Sequence, residues 1–208
     1  MKRFLFGLAL LTLGVSTAQV NATTMSPLTQ DQMTDASDLV VRGIVTETWT
    51  ERDDIGRIWT RVQVEVNDTF KGDAVEGVLI SQMGGVYAND YQPMHGAPVF
   101  DVGEEGYFFL EHLEGGYTGV VGWWQGKYTV RLDPDSGQEM LVRFVVSQDA
   151  WYDHRFIPHP DVADRIYVDD FEAGLKTRVA TGWDGEPIPG TSLERLERVN
   201  TVTTGVNR

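Results

Sequence analysis

Trp123 and Trp124 stand side by side between Gly122 and Gly126, and Tyr91 lies in a stretch rich in glycine and proline. Large amphipathic rings on a β surface stack on sugars or anchor a protein partner, because they supply contact area at little entropic cost. Trp123, Trp124 and Tyr91 are therefore the candidate partner-binding residues. The plainer alternative is that one indole points inward and fills the end of a barrel.

The histidines are His95, His112, His154 and His159. His154 and His159 lie among Asp153, Asp161 and Asp164, so a mixed nitrogen and oxygen metal site can be drawn there. Their spacing suits no pair of imidazoles on one helical face, and no metal ligand is assigned. Carboxylates come in pairs, at Asp53 with Asp54, Glu104 with Glu105, Asp133 with Asp135 and Asp169 with Asp170. A glycosidase needs two carboxyls facing each other, whereas neighbours on a strand point to opposite faces. These pairs read as turn formers and solvated surface. The chain has no cysteine, so it has no thiolate metal site, disulfide or cysteine nucleophile. It carries no Gly-x-Ser-x-Gly elbow, His-Glu-x-x-His helix or phosphate-cradling glycine loop either. No catalytic residue and no cofactor are implied.

Acidic residues number 31 against 17 lysines and arginines, a formal charge of -14, so the surface repels phosphate and nucleic acid is not an expected partner. Lys2 and Arg3 precede an apolar run over residues 4–15, and small residues follow at Ala18 and Ala22. That is the pattern of a signal peptide over residues 1–22, with a run too short to span a bilayer as a helix. No later stretch is apolar enough to span, so no transmembrane segment is expected after cleavage. The location expected is periplasmic or secreted, and bacterial, since small secreted animal domains usually carry disulfides.

The elements that must position these residues follow from periodicity. A short helix is expected from Ser26 to Ala36, with Ser26 as cap and Pro27 in the first turn. Leu39, Val41, Gly43 and Val45 alternate with polar neighbours, as do Val62, Val64 and Val66, and Asp53 to Gly56 supplies turn residues between them. This predicts a long antiparallel hairpin. Strands are also expected over 78–83, 106–114, 117–132 with an interruption at 122–126, and 140–146, with an irregular loop over 84–103. Phe171, Leu175 and Val179 have near-helical spacing. Six closely spaced strands with little helix between them indicate a mainly β chain folded as a small antiparallel barrel with short flanking helices, with a β-sandwich as the alternative. Residues 23–180 form the single domain, and 181–208 read as a linker and frayed tail.

The run Ala36-Ser37-Asp38-Leu39-Val40-Val41-Arg42-Gly43-Ile44-Val45, the Phe70-Lys71-Gly72-Asp73 turn, and Gly96-Ala97-Pro98-Val99-Phe100 leading to Val102-Gly103-Glu104 and Phe108-Phe109-Leu110 resemble a group of uncharacterised exported bacterial proteins. The resemblance covers roughly residues 36–146. It implies an OB-like barrel distantly similar to the netrin and tissue-inhibitor-of-metalloproteinase modules. Those inhibitors bind zinc through an N-terminal cysteine, which this chain lacks. The function expected is a non-enzymatic module that binds a protein or a glycan at one end of the barrel. The alternatives are a metal-assisted hydrolase using His95, His154 or His159, or a partner domain of an exported protease.

Overall fold

The computed structural model describes residues 26–94, 96–145 and 162–201. The expected signal peptide, His95, Asp153, His154, His159 and Asp161 lie outside the described residues.

The predicted hairpin is present as β1 (Leu39–Arg52) and β2 (Ile58–Lys71). Asp53 closes it: its Oδ1 accepts the N–H groups of Ile55 and Arg57 at 3.2 and 2.8 Å, and Gly56 turns with φ 87. β3 (Gly77–Met83) and β6 (Glu105–Leu113) match the expected strands. Inside the stretch expected as an irregular loop, β4 (Gly85–Tyr87) and β5 (Asp90–Gln92) form a separate hairpin. The interrupted fifth strand is two strands, β7 (Tyr117–Val120) and β8 (Lys127–Leu132), joined through a 3-10 turn at Trp123–Gly126. β7 pairs with the far half of β6 and β8 with its near half. β9 (Glu139–Val145) and β10 (Val162–Tyr167) extend the sheet, whose order is β10-β9-β8-β6-β1-β2-β3.

The chain is mainly β, as expected, but its antiparallel sheet does not close into a barrel by hydrogen bonds. β3 comes to lie against β7 without a ladder between them. Side chains join that seam. The Tyr117 and Trp59 rings stack at 4.7 Å, and the Arg61 guanidinium sits 5.0 and 5.4 Å from their centres. The curl depends on Gly43 and Gly106, which are directly opposite each other on β1 and β6. A Cβ on Gly43 would lie 2.4 Å from the Glu65 carbonyl oxygen, and one on Gly106 would lie 2.4 Å from that of Tyr128. Only glycine lets the adjacent strands approach so closely.

Two apolar cores result. Val41, Val45, Val62, Val64, Ile80, Phe108 and Leu110 fill the inside of the curled sheet. Val40, Tyr107, Phe109, Tyr128 and Leu141 face outward into a second core roofed by helices. The helices are α1 (Gln30–Ala36), α2 (Val168–Thr181) and α3 (Leu193–Thr201). Thr29, rather than Ser26, caps α1, in a reciprocal box with Gln32, so Ser26 and Pro27 precede the helix. From α2, Phe171 packs on Tyr107, Tyr128 and Phe109 with ring centres 5.0, 5.0 and 6.2 Å away. The expected linker and tail is corrected by α3, whose Leu196 is fully buried in the outer core.

Candidate functional site: an aromatic hairpin and a charged helix clamp

Gly84 and Gly85, with φ 94 and 131, turn the chain after β3 so that β4 crosses the end of the β1–β2 hairpin. The landing surface is the row Thr50, Ile58 and Thr60, which continues the inward-facing row of Val62. Gly84 N–H donates to the Ile58 carbonyl at 2.8 Å, Thr60 Oγ1 donates to the Gly84 carbonyl at 2.7 Å, and Thr50 Oγ1 donates to that of Val86 at 2.6 Å. Ile58 N–H donates to Gln92 Oε1 at 3.1 Å, fastening the other strand. Arg52 pairs with Asp90 and lies 5.5 Å over the Tyr87 ring.

The small hairpin is thus held through its backbone, Gln92 and Arg52, and its apolar and aromatic side chains stay substantially exposed. Val86 and Tyr91 are cross-strand partners at 58% and 50% exposure, and Tyr87 is at 40%. Tyr91 is thus half exposed, and its setting is a structured hairpin rather than an irregular loop.

Trp123 and Trp124 behave differently from each other. Trp123 is 40% exposed and takes a left-handed backbone, φ 60, whereas Trp124 is half-buried and its backbone N–H donates to the Gly96 carbonyl at 3.1 Å. The next residue, Gln125, is buried: its Oε1 accepts the Leu28 N–H at 2.7 Å and its Nε2 donates to the Ser26 carbonyl at 3.2 Å. The turn is therefore a structural junction that leaves one indole accessible. Tyr91 lies on β5 and the indoles in the 3-10 turn, with the chain through Gly96 running between them.

Compared with known proteins, the chain matches no family model and no curated sequence.

Several charged groups expected on the surface are instead interior fasteners. Glu104 is buried and pairs with buried Lys127 at 2.6 Å, and Glu105 pairs with Arg42 at 2.6 Å. Desolvation pulls the Lys127 ammonium below its ordinary range, partly offset by Glu104. Asp53 and Asp133 do form turns as expected. The Asp53 carboxyl is held well below the usual range by the Trp59 indole N–H and by Arg57.

A larger set of fasteners ties the helices to one another and to the sheet. Arg178 of α2 donates from Nε to both carboxylate oxygens of Asp35 at 3.0 Å. Burial nevertheless raises the Asp35 carboxyl above its usual range, against the lowering by Arg178. Arg195 of α3 bonds Asp38 at 2.9 Å and approaches Glu111 at 3.4 Å. Lys71, at the end of β2, points its ammonium at the C-terminus of α1, donating to the Thr34 and Asp35 carbonyls at 2.8 and 3.2 Å and to Asn200 Oδ1 at 3.3 Å. A helix leaves its last carbonyls without intrahelical partners, and a cation there satisfies them. Burial pulls the Lys71 pKa down to about 8.

Sequence reasoning placed Lys71 in a turn and assigned Asp35, Arg178 and Arg195 no role. Nothing local marks them, because their partners lie far along the chain. Among the described residues, no group of three His, Asp or Glu side chains could hold a metal ion. No described helix is long and apolar enough to cross a membrane.

Proposed function

We propose that the protein is an exported binding module and that its β4–β5 hairpin, with exposed Trp123 as a second contact, meets a protein or glycan partner. The observation that carries this is Val86, Tyr87 and Tyr91 held outward on a hairpin whose backbone is already fixed. Rings presented on a rigid support bind with little ordering cost, which is how binding residues are carried at the rim of a β scaffold. Export is supported by Lys2, Arg3 and the apolar run after them. Membership in the OB-like exported group is supported by β1, β2, β3, β7 and β6 surrounding one inner core with a partly open seam.

The test is retention of the purified protein on an envelope fraction from the source cells, compared with the Val86→Ser, Tyr91→Ser double variant and with Trp123→Ala. All three side chains are exposed, so melting temperatures should stay close to wild type while retention falls at least tenfold. Survival of retention after protease treatment of the fraction assigns a glycan, and its loss assigns a protein. Undiminished retention of the double variant refutes the reading. The hydrolase alternative rests on His95, His154 and His159, and elemental analysis of dialysed protein decides it: a stoichiometric transition metal would favour the enzyme.

A further inference from the structure

Below the seam, at the opposite end of β3 from the aromatic hairpin, a groove of about 880 Å³ separates the β2–β3 and β6–β7 turns from α3. We propose that this groove binds a peptide segment of another protein that carries apolar side chains next to a basic residue. Phe70, Val78, Val179 and Val199 line it, together with the more exposed Val75 and Leu113 at 37% and 41%. Its volume lies within the roughly 300–1,000 Å³ typical of ligand sites.

The charges around the apolar lining select the ligand. Asp73 sits in the β2–β3 turn, Glu114 in the β6–β7 turn and Arg198 on α3. The side chains of these three make no hydrogen bond or ion pair among the described residues. Lys71 and Asp38, which also line the groove, are already engaged by the helix clamp. The available formal charge is therefore two carboxylates on the sheet side and one guanidinium on the helix side, with the His112 ring also in the lining. A fatty acid would pair its carboxylate with Arg198 and leave Asp73 and Glu114 without a cation. A peptide supplies a cation for that side and carbonyl oxygens for Arg198, while its apolar side chains cover Val75 and Leu113. The net charge of -14 also favours the approach of a basic partner.

The experiment selects a random phage-displayed peptide library on the immobilised full chain and measures the enriched peptides by fluorescence anisotropy. The expected set has apolar residues flanked by Lys or Arg. Its affinity should fall at least tenfold, about 1.4 kcal/mol, for Leu113→Asp and for Asp73→Lys with Glu114→Lys. It should be unchanged for Val86→Ser with Tyr91→Ser, which separates this groove from the aromatic hairpin. Thermal melts confirm that each variant is folded. The proposal is overturned by the absence of enrichment, by an acidic consensus, by peptides that bind Leu113→Asp as well as wild type, or by peptides that lose binding only with the hairpin variant.

Discussion

Replacing Lys71 by methionine keeps most of the buried stem and removes the ammonium, so it isolates what the charge does. Neither helix carbonyl is orphaned by the change. Ser37 N–H still donates to the Thr34 carbonyl at 3.3 Å, and Asn200 Nδ2 donates to that of Asp35 at 3.1 Å. Near neutral pH the variant loses charge-assisted hydrogen bonds but also escapes the desolvation of a buried cation, so a net change within about 2 kcal/mol is expected. The pH dependence is the sharper readout. The folded pKa of about 8 lies below the ordinary 10.5 because burial outweighs the attraction of Asp35 and Asp38. Between those two values the unfolded chain holds a proton that the folded chain has released, so wild-type stability rises with pH across that interval. At about 1.4 kcal/mol per pH unit, the gap of 10.5 minus 8 amounts to roughly 3 kcal/mol. Denaturant unfolding of both chains from neutral pH up to 10.5 should therefore show wild type gaining about 3 kcal/mol on Lys71→Met. All other titrating groups are common to the two chains and largely cancel. A stability difference that stays flat across this range refutes the buried-ammonium account of the clamp.

Gly106→Ala should destabilise by about 1–3 kcal/mol in the same unfolding assay, because its Cβ would lie 2.4 Å from the Tyr128 carbonyl oxygen; an unchanged midpoint would mean that β6 and β8 can separate freely. Leu196→Ala should cost about 2–5 kcal/mol, since the side chain is fully buried in the outer core, and a loss below ~0.5 kcal/mol would show α3 to be dispensable. Arg61→Met should cost about 1–3 kcal/mol by removing the cation from the Trp59 and Tyr117 rings together with its bonds to Glu51 and Ser81. It should also speed amide exchange in β3 and β7, and unchanged exchange would show that the seam is held by something else.

The hairpin of β1 and β2 was legible because one face of each strand is polar over most of its length, and the Asp53 turn announces itself by residue type. Alternation fails where both faces are covered: Leu39, Val40 and Val41 are all buried, as are Tyr107, Phe108, Phe109 and Leu110. Such runs identify a strand but not which side chain enters which core, so the second core was not foreseen. The β4–β5 hairpin was hidden because three-residue strands are too short to show a period, and they are fastened from outside by Thr50, Ile58 and Thr60, which no pairing signal announces. The aromatic candidates were found by type alone, and burial then separated Trp123 from Trp124. The helix clamp left no local trace, because Asp35 and Arg178 meet across most of the domain.

The second core explains why the helices on both sides of the sheet segment in sequence belong to the same folding unit. The outward faces of β1, β6 and β8 carry Val40, Tyr107, Phe109 and Tyr128, which would be exposed without α1, α2 and α3. Covering these rings is the main driving force for docking the helices. Apolar burial is nevertheless indifferent to the rotation of a helix on its seat, whereas Asp35 with Arg178, Asp38 with Arg195 and Lys71 with the end of α1 each fix a direction. Those contacts set where α3 stands, and α3 is one wall of the groove that Lys71 and Asp38 also line. The aromatic hairpin instead depends on Thr50, Ile58 and Thr60 at the other end of the sheet. The two surfaces are thus positioned by separate sets of contacts, so substitutions in the clamp should change the groove while leaving the hairpin in place.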